Sequence, residues 1–253
     1  MYFIGAIING LGQGAVYALI ALGYTMVYGI AKMLNFAHGD VIMVGAYVIF
    51  VTAGSLAGIP GAPYFALIAS MALCVVLGVT IERLAYKPLR GASSLSVLIT
   101  AIGVSFMLQS LAQIIFTPTP RFVPALEKWG SVSIGPLTVK IQTIVAFAAG
   151  VIIMTLLTLF IRKSKTGRAM LAVSEDKGAA RLMGINVNKT IAITFAIGSA
   201  LAAVASFFML IFSPSLDPTY GAMPGIKAFV AAVLGGIGSI PGAAVGALII
   251  GII

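Results

Sequence analysis

The sequence predicts an all-α protein, a polytopic transmembrane helical bundle with interrupted helices. Three observations lead there. Hydrophobic residues make up 60% of the 253 residues and charged residues only 8%, where a soluble domain carries about 25% charged. The apolar residues gather in runs close to the roughly 20 residues that span hydrocarbon as one helix. Prolines, which lack an amide donor and break helices, fall mostly between those runs.

Seven hydrophobic segments are expected, at about 4–31, 41–58, 63–84, 95–116, 139–161, 190–212 and 226–253. Pro60, Pro63, Pro88, Pro118, Pro120, Pro124, Pro136, Pro214, Pro218 and Pro224 sit in connections or at segment ends, and Pro241 falls inside the last run. No Lys or Arg precedes the first segment, which is long, so it reads as a retained span and not as a cleaved signal. The chain stops at Ile253 within an apolar run, which predicts either a truncated product or an incomplete last span. The whole of 1–253 is expected to form one transmembrane domain, with 162–189 as its long loop.

The formal net charge is +9. The charges lie in short clusters between apolar runs, which points to membrane orientation and away from nucleic acid. Lys32, then Arg83, Lys87 and Arg90, then Arg162, Lys163, Lys165, Arg168, Lys177, Arg181 and Lys189 follow spans one, three and five. Arg121, Lys128, Lys140 and Lys227 fall on the other side. The positive-inside rule places the first group in the cytoplasm and the N-terminus outside. Cys74 is the single cysteine and His38 the single histidine. That supply excludes an internal disulfide and leaves no basis for a metal centre or a cofactor.

Two apolar regions are interrupted by polar or glycine-rich sequence. The first is Asn35-Phe36-Ala37-His38-Gly39-Asp40 and the second Gly235-Gly236-Ile237-Gly238-Ser239-Ile240-Pro241-Gly242. Unwound backbone survives at membrane depth where protein or water covers it, and paired interruptions point to a transport site. Asn35, His38, Gly39, Asp40, Gly235, Gly236, Gly238 and Ser239 are therefore candidate pathway residues. The competing reading is an interfacial turn and a packing kink. Asp40 equally suits the first turn of a helix, where the dipole favours a carboxylate. Gly10 with Gly14, and Gly242 with Gly246, have the spacing that lets helices approach closely.

The 162–189 loop predicts a short amphipathic helix. Ser174 is the expected cap, with Glu175 and Asp176 in the first turn and Arg181 near the end. Gly184 suits a left-handed terminating residue. Ala179, Leu182 and Met183 share one face. Such a helix either lies on lipid headgroups or docks a cytoplasmic partner. The outer loop 117–138 holds four prolines and Trp129, a surface for an extracytoplasmic partner or an interfacial anchor.

Three stretches carry a family resemblance. Gln13 to Gly29 (QGAVYALIALGYTMVYG), followed by Asn35 to Asp40, resembles the start of the branched-chain amino-acid ABC transporter permeases. Ile81 to Arg90 (IERLAYKPLR) is similar to their connection between the third and fourth spans, and Lys227 to Gly242 to their late glycine-rich segment. The match runs in order through nearly the whole chain.

The resemblance implies a type II ABC importer of the bacterial inner membrane. Its implied partners are a second related permease subunit, two cytoplasmic ATPases and a periplasmic substrate-binding protein, with lipid around the spans. Ala179, Ala180 and Gly184 match the alanine pair and following glycine of the loop that docks into the ATPase, and Glu175, Asp176 and Arg181 flank them. Gly178 stands where the motif's leading glutamate is usual. The chain has no G-x-x-x-x-G-K-[ST] sequence to cradle phosphate, so ATP hydrolysis falls to the partners. Branched-chain amino acids are the expected substrate, and urea or short amides are handled by close relatives. A proton-coupled transporter would want more buried carboxylates than Asp40 supplies, and a membrane enzyme would want clustered catalytic groups.

Overall fold

The computed structural model describes residues 2–253 except 124, 125, 127, 128, 135 and 136. Expectations for Pro124, Lys128 and Pro136 thus lie outside the described residues. Among the described residues the chain forms ten α-helices, one π-helical turn and two small strand pairs. Among the described residues six helices are long and apolar enough to cross a membrane.

Helix α1 (Tyr2–Ala31) is the hub. It packs against α5, α8, α9 and α10, and it is the most deeply buried of the membrane-length helices. Small residues allow this. A β-carbon on Gly10 would lie 2.6 Å from the Gly251 carbonyl oxygen, and one on Gly14 would lie 2.9 Å from the Leu248 Cα. The Gly10/Gly14 pair therefore faces α10 (Ile240–Ile252). Gly242 and Gly246 face α9 (Ala222–Leu234) instead, against Gly235 and Ala231.

After α1 the backbone turns at Lys32, which adopts φ +56°. Helix α2 (His38–Ser55) then begins deep in the bundle. Its first residue lies against Gly23 and Tyr24. Those sit about 10–12 Å back along α1 from Ala31, at about 1.5 Å per residue. The expected start at 41 is thus three residues late, because His38, Gly39 and Asp40 form the first turn and the irregular stretch is Lys32 to Ala37.

Helix α3 (Ala62–Ile81) continues through a π-helical turn, Glu82–Tyr86. Helix α4 (Ser94–Phe116) touches the bundle sparingly, whereas α5 (Ile141–Lys163) packs along α1 and leaves its other side exposed. Exposed Leu95, Ile99, Phe106, Ile114 and Ile115 make α4 a lipid-facing helix. Two further helices, α6 (Lys165–Glu175) and α7 (Lys177–Leu182), precede α8 (Val187–Phe212).

The chain also forms strands that an all-α expectation omits. Strand β1 (Arg121–Phe122) pairs with β4 (Ser215–Leu216), and β2 (Ser131–Ile134) pairs with β3 (Leu137–Lys140), both antiparallel. They close the end of the bundle opposite the basic connections. At the basic end the connections meet directly. The Lys177 ammonium donates to the Ala31 carbonyl over 2.8 Å, and Arg90 bonds both Glu82 and Asn188.

The segment expected as a seventh span is two helices. Gly236 and Gly238 take φ of +87° and +99°, a backbone that L side chains rarely adopt. The chain therefore folds back as a hairpin of α9 and α10. Pro241 is no exception among the prolines, since it lies in the first turn of α10, where its missing amide costs nothing.

Candidate functional site

The start of α2 lies at the centre of the molecule. Asn35 Oδ1 accepts from the Tyr86 hydroxyl at 2.9 Å, which fixes the chain entering the break. His38 is 1% exposed. Its ring meets Tyr24 edge-on, with centroids 4.7 Å apart, and leaves no room for a β-carbon on Gly23. The His38 Nε2 has no hydrogen-bond partner among the described residues. Gly39 touches Gly221, where a β-carbon on Gly39 would come within 2.6 Å of the Gly221 carbonyl oxygen. Asp40 accepts from the Gln109 amide at 2.8 Å, and Gln109 also reaches Ser105.

A wall of aromatic rings continues from this point. Tyr24 and Phe36 both contact Phe229 of α9, with centroids 5.8 and 5.4 Å apart. A β-carbon on Gly225 would lie 3.3 Å from the Tyr24 hydroxyl. Tyr24, Gln109, Gly221 and Phe229 were not singled out by the sequence. Tyr24, Gln109 and Phe229 are ordinary residues of apolar runs and Gly221 lies in a connection; the packing of α1, α4 and α9 around the start of α2 brings them to His38 and Asp40. Helices α2 and α9 thus start side by side, both aimed away from the same interior point.

The second glycine-rich break is elsewhere. Gly235 and Gly242 meet backbone to backbone. Ser239 caps α10 by accepting from the Gly242 amide at 3.3 Å, and Gly238 lies against Gly29. Gly238 and Ser239 line a cavity of about 490 Å³ with Thr25, Lys32, Arg162 and Glu175. The structure therefore separates the two interruptions. Asn35 to Asp40 sits inside the bundle, and Gly235 to Ser239 sits at its basic end. The first break packs against the 217–221 connection into α9, where Gly39 meets Gly221.

The 162–189 loop departs from its expected register. Ser174 is no cap; it lies inside α6 and donates to the Leu171 carbonyl at 2.6 Å. Asp176 caps α7, accepting from the amides of Gly178 at 2.6 Å and Ala179 at 3.0 Å. An ionised carboxylate accepts two amide bonds better than a hydroxyl does, which favours the aspartate. Glu175 closes α6 and does not open α7. Gly184 has φ +79°, the left-handed geometry expected of it. Ala180 packs inward, while Ala179, Arg181, Leu182 and Met183 face outward. Leu182 is 90% and Met183 81% exposed.

At the same end, Glu82 is buried to 1% exposure and pairs with Arg90. Arg90 also engages Asn188 at the start of α8. This clamp ties the π-helical turn to α8. Trp129 in the opposite loop is half-buried against the core.

The fold can be set beside known proteins. Residues 6–253 match the model of a family described as the permease component of branched-chain amino acid transport systems. The chain is 44% identical to the high-affinity branched-chain amino acid transport permease BraD of Pseudomonas aeruginosa, over 99% of this chain and 85% of that protein. It is 42% identical to the LivH permease of Escherichia coli, over 100% and 85%. A probable LivH permease of Methanocaldococcus jannaschii is 33% identical, over 92% and 74%. Match across the full chain, together with six membrane-length helices, makes this a multi-pass membrane protein and a transport subunit, not an enzyme. The chain belongs to the family of branched-chain amino acid transport system permease components.

Proposed function

We propose that the chain is a membrane-spanning subunit of an ATP-driven importer of branched-chain amino acids in the bacterial inner membrane. The full-length match to permeases named for that transport carries the reading. Under it, the basic end faces the cytoplasm, as the positive-inside rule requires.

In this proposal the chain pairs with a second related permease, two ATPases drive the pair, and one of them binds the α6–α7 loop of this chain. A capped helix whose outer face is Leu182 and Met183 supports this, since isolated apolar side chains of that size on a polar loop suit a hydrophobic partner groove. Glu175, Asp176, Ala179, Ala180, Arg181 and Gly184 shape the loop that docks. ATP binding moves it, and the bundle shifts between two states that bind substrate differently. A periplasmic protein delivers the substrate to the opposite end, near the strand pairs.

Within the bundle, Asn35, His38, Gly39 and Asp40 form the part of the proposed path at membrane depth. Gly235, Gly236, Gly238 and Ser239 border its cytoplasmic mouth. His38 and Asp40 sit at an element that starts mid-bundle, where polar groups are costly and usually functional.

The test is reconstitution of the complete importer in liposomes. ATP-dependent uptake of labelled leucine, isoleucine or valine that needs the binding protein is the expected result. Uptake of urea or acetamide in preference to leucine would overturn the substrate. Uptake without ATP would overturn the mechanism.

A further inference from the structure

The basic end holds a second cavity, of about 240 Å³, beside the α7 loop. Tyr28, Lys32, Leu89, Arg90, Ser94 and Lys177 are among its lining, and no carboxylate lines it. Three cations from three separate connections therefore converge on one space. Glu82 and Asn188 engage the two terminal nitrogens of Arg90 outside the cavity. The Arg90 Nε is buried with no partner among the described residues. Burial, then the charges of Arg90, Lys32 and Arg181, push the Lys177 amine below its ordinary range.

Lys32 adds an independent observation. Its φ of +56° is the left-handed position that ends α1, where glycine is the usual residue. A lysine there costs strain, and strain of this kind persists where the surroundings impose it, often at binding sites. The lysine at this position lines the cavity.

We propose that Lys32, Arg90 and Lys177 hold a phosphate-bearing anion, the headgroup of an acidic phospholipid in the adjoining leaflet. Arginine and lysine pair with phosphate oxygens by charge-assisted hydrogen bonds. The lipid source follows from the cavity's position. Its far wall is the first turns of α4, where Ser94 and Val97 line it and Leu95 and Ile99 face the membrane, 63% and 61% exposed. A headgroup in the cavity leaves its acyl chains along α4. The bound anion offsets the charges of Lys32 and Lys177, while Arg90, already paired with Glu82, offers its unpartnered Nε; it ties α4 to the α7 loop, so lipid composition feeds into the segment read above as the docking loop. The site itself does not depend on the substrate.

Native mass spectrometry of the purified complex tests this, with dihexanoyl phosphatidylglycerol, phosphatidylcholine of equal chain length and inorganic phosphate as probes. Wild type should retain phosphatidylglycerol and lose phosphatidylcholine. Lys32→Gln and Lys177→Gln should each weaken phosphatidylglycerol binding about fivefold, the usual effect of one basic residue at an anionic surface. Lys32→Gly relaxes the backbone, so it should raise thermal stability yet weaken the lipid; a purely structural lysine would not split those readouts. Inorganic phosphate that competes with the same dependence on Lys32 and Lys177 keeps the site and moves the source to solution. Variants that bind phosphatidylglycerol like wild type would overturn the site. So would lysines that become shielded solely on adding the ATPases, with no lipid retained.

Discussion

Gly39 and Gly221 meet through bare backbone, so the first turn of α2 and the turn into α9 share one point of contact. A side chain on either residue would drive the two starts apart, because the obstacle is main chain and not a movable rotamer. That point also holds Tyr24, His38 and Asp40 in register. The interior of the bundle is thus organised by the origins of two helices, and not by a pocket between continuous spans.

Gly221→Ala is expected to destabilise the protein by about 1–3 kcal/mol, the usual range for overpacking. Gly54→Ala is the control, since nothing lies within 4 Å of its added carbon. Thermal melting of the detergent-solubilised complex measures both. Equal melting temperatures for the two variants would contradict the close approach.

Gln109 joins a sparsely packed helix to the core through Asp40. Gln109→Leu removes the donor and leaves the Asp40 carboxylate short of a partner, at a cost of about 1–3 kcal/mol. The effect should be local, with faster amide hydrogen exchange in α4 and little change in α1 or α8. Uniform acceleration along the chain would show that the bond does not act as an attachment of α4.

The outer face of α7 separates folding from assembly. Leu182→Asp should leave expression and melting unchanged, since that side chain is 90% exposed. The same variant should lose ATPase subunits in co-purification, at least tenfold. Ala180→Leu is the counterpart, because Ala180 is buried and its enlargement should lower folded yield. Intact co-purification with Leu182→Asp would remove the docking role of this face.

Lys177 offers a pH signature. Its amine is held below the ordinary value of 10.5, chiefly by burial and then by Arg90, Lys32 and Arg181. The folded state therefore disfavours the charged form, and its penalty is present at pH below the folded value. Stability should rise with pH through the alkaline interval beneath 10.5 as the amine gives up its proton. Lys177→Met should flatten that rise in melting temperature. A slope unchanged by the substitution would assign the effect to another group.

Much of the architecture is legible in the sequence because hydrocarbon imposes a length on each helix. Residues 4–31 and 95–116 were expected as spans, and α1 and α4 lie there within two residues. What could not be read was continuity. The run from 226 to 253 is apolar throughout, so composition cannot reveal that positive φ at Gly236 and Gly238 folds it into a hairpin. Nor does hydropathy tell which glycine faces which helix. Ser174 and Asp176 are both competent caps, and the choice depended on α6 extending to Glu175. The Glu82–Arg90–Asn188 clamp joins positions about a hundred residues apart, beyond any local pattern. His38 and Asp40 were visible as polar residues in an apolar region, but Tyr24, Gln109 and Gly221 gain meaning only from tertiary contact.

The zipper between Gly10, Gly14 and Gly251 has a consequence for biogenesis. Helix α1 leaves the ribosome well before α10, and the surface it fits is made more than two hundred residues later. Until then its glycine-lined groove must be occupied by lipid or by a helper protein. Long-range closure of this kind is slow, so an insertase that shields α1 would raise yield more than any substitution at the periphery.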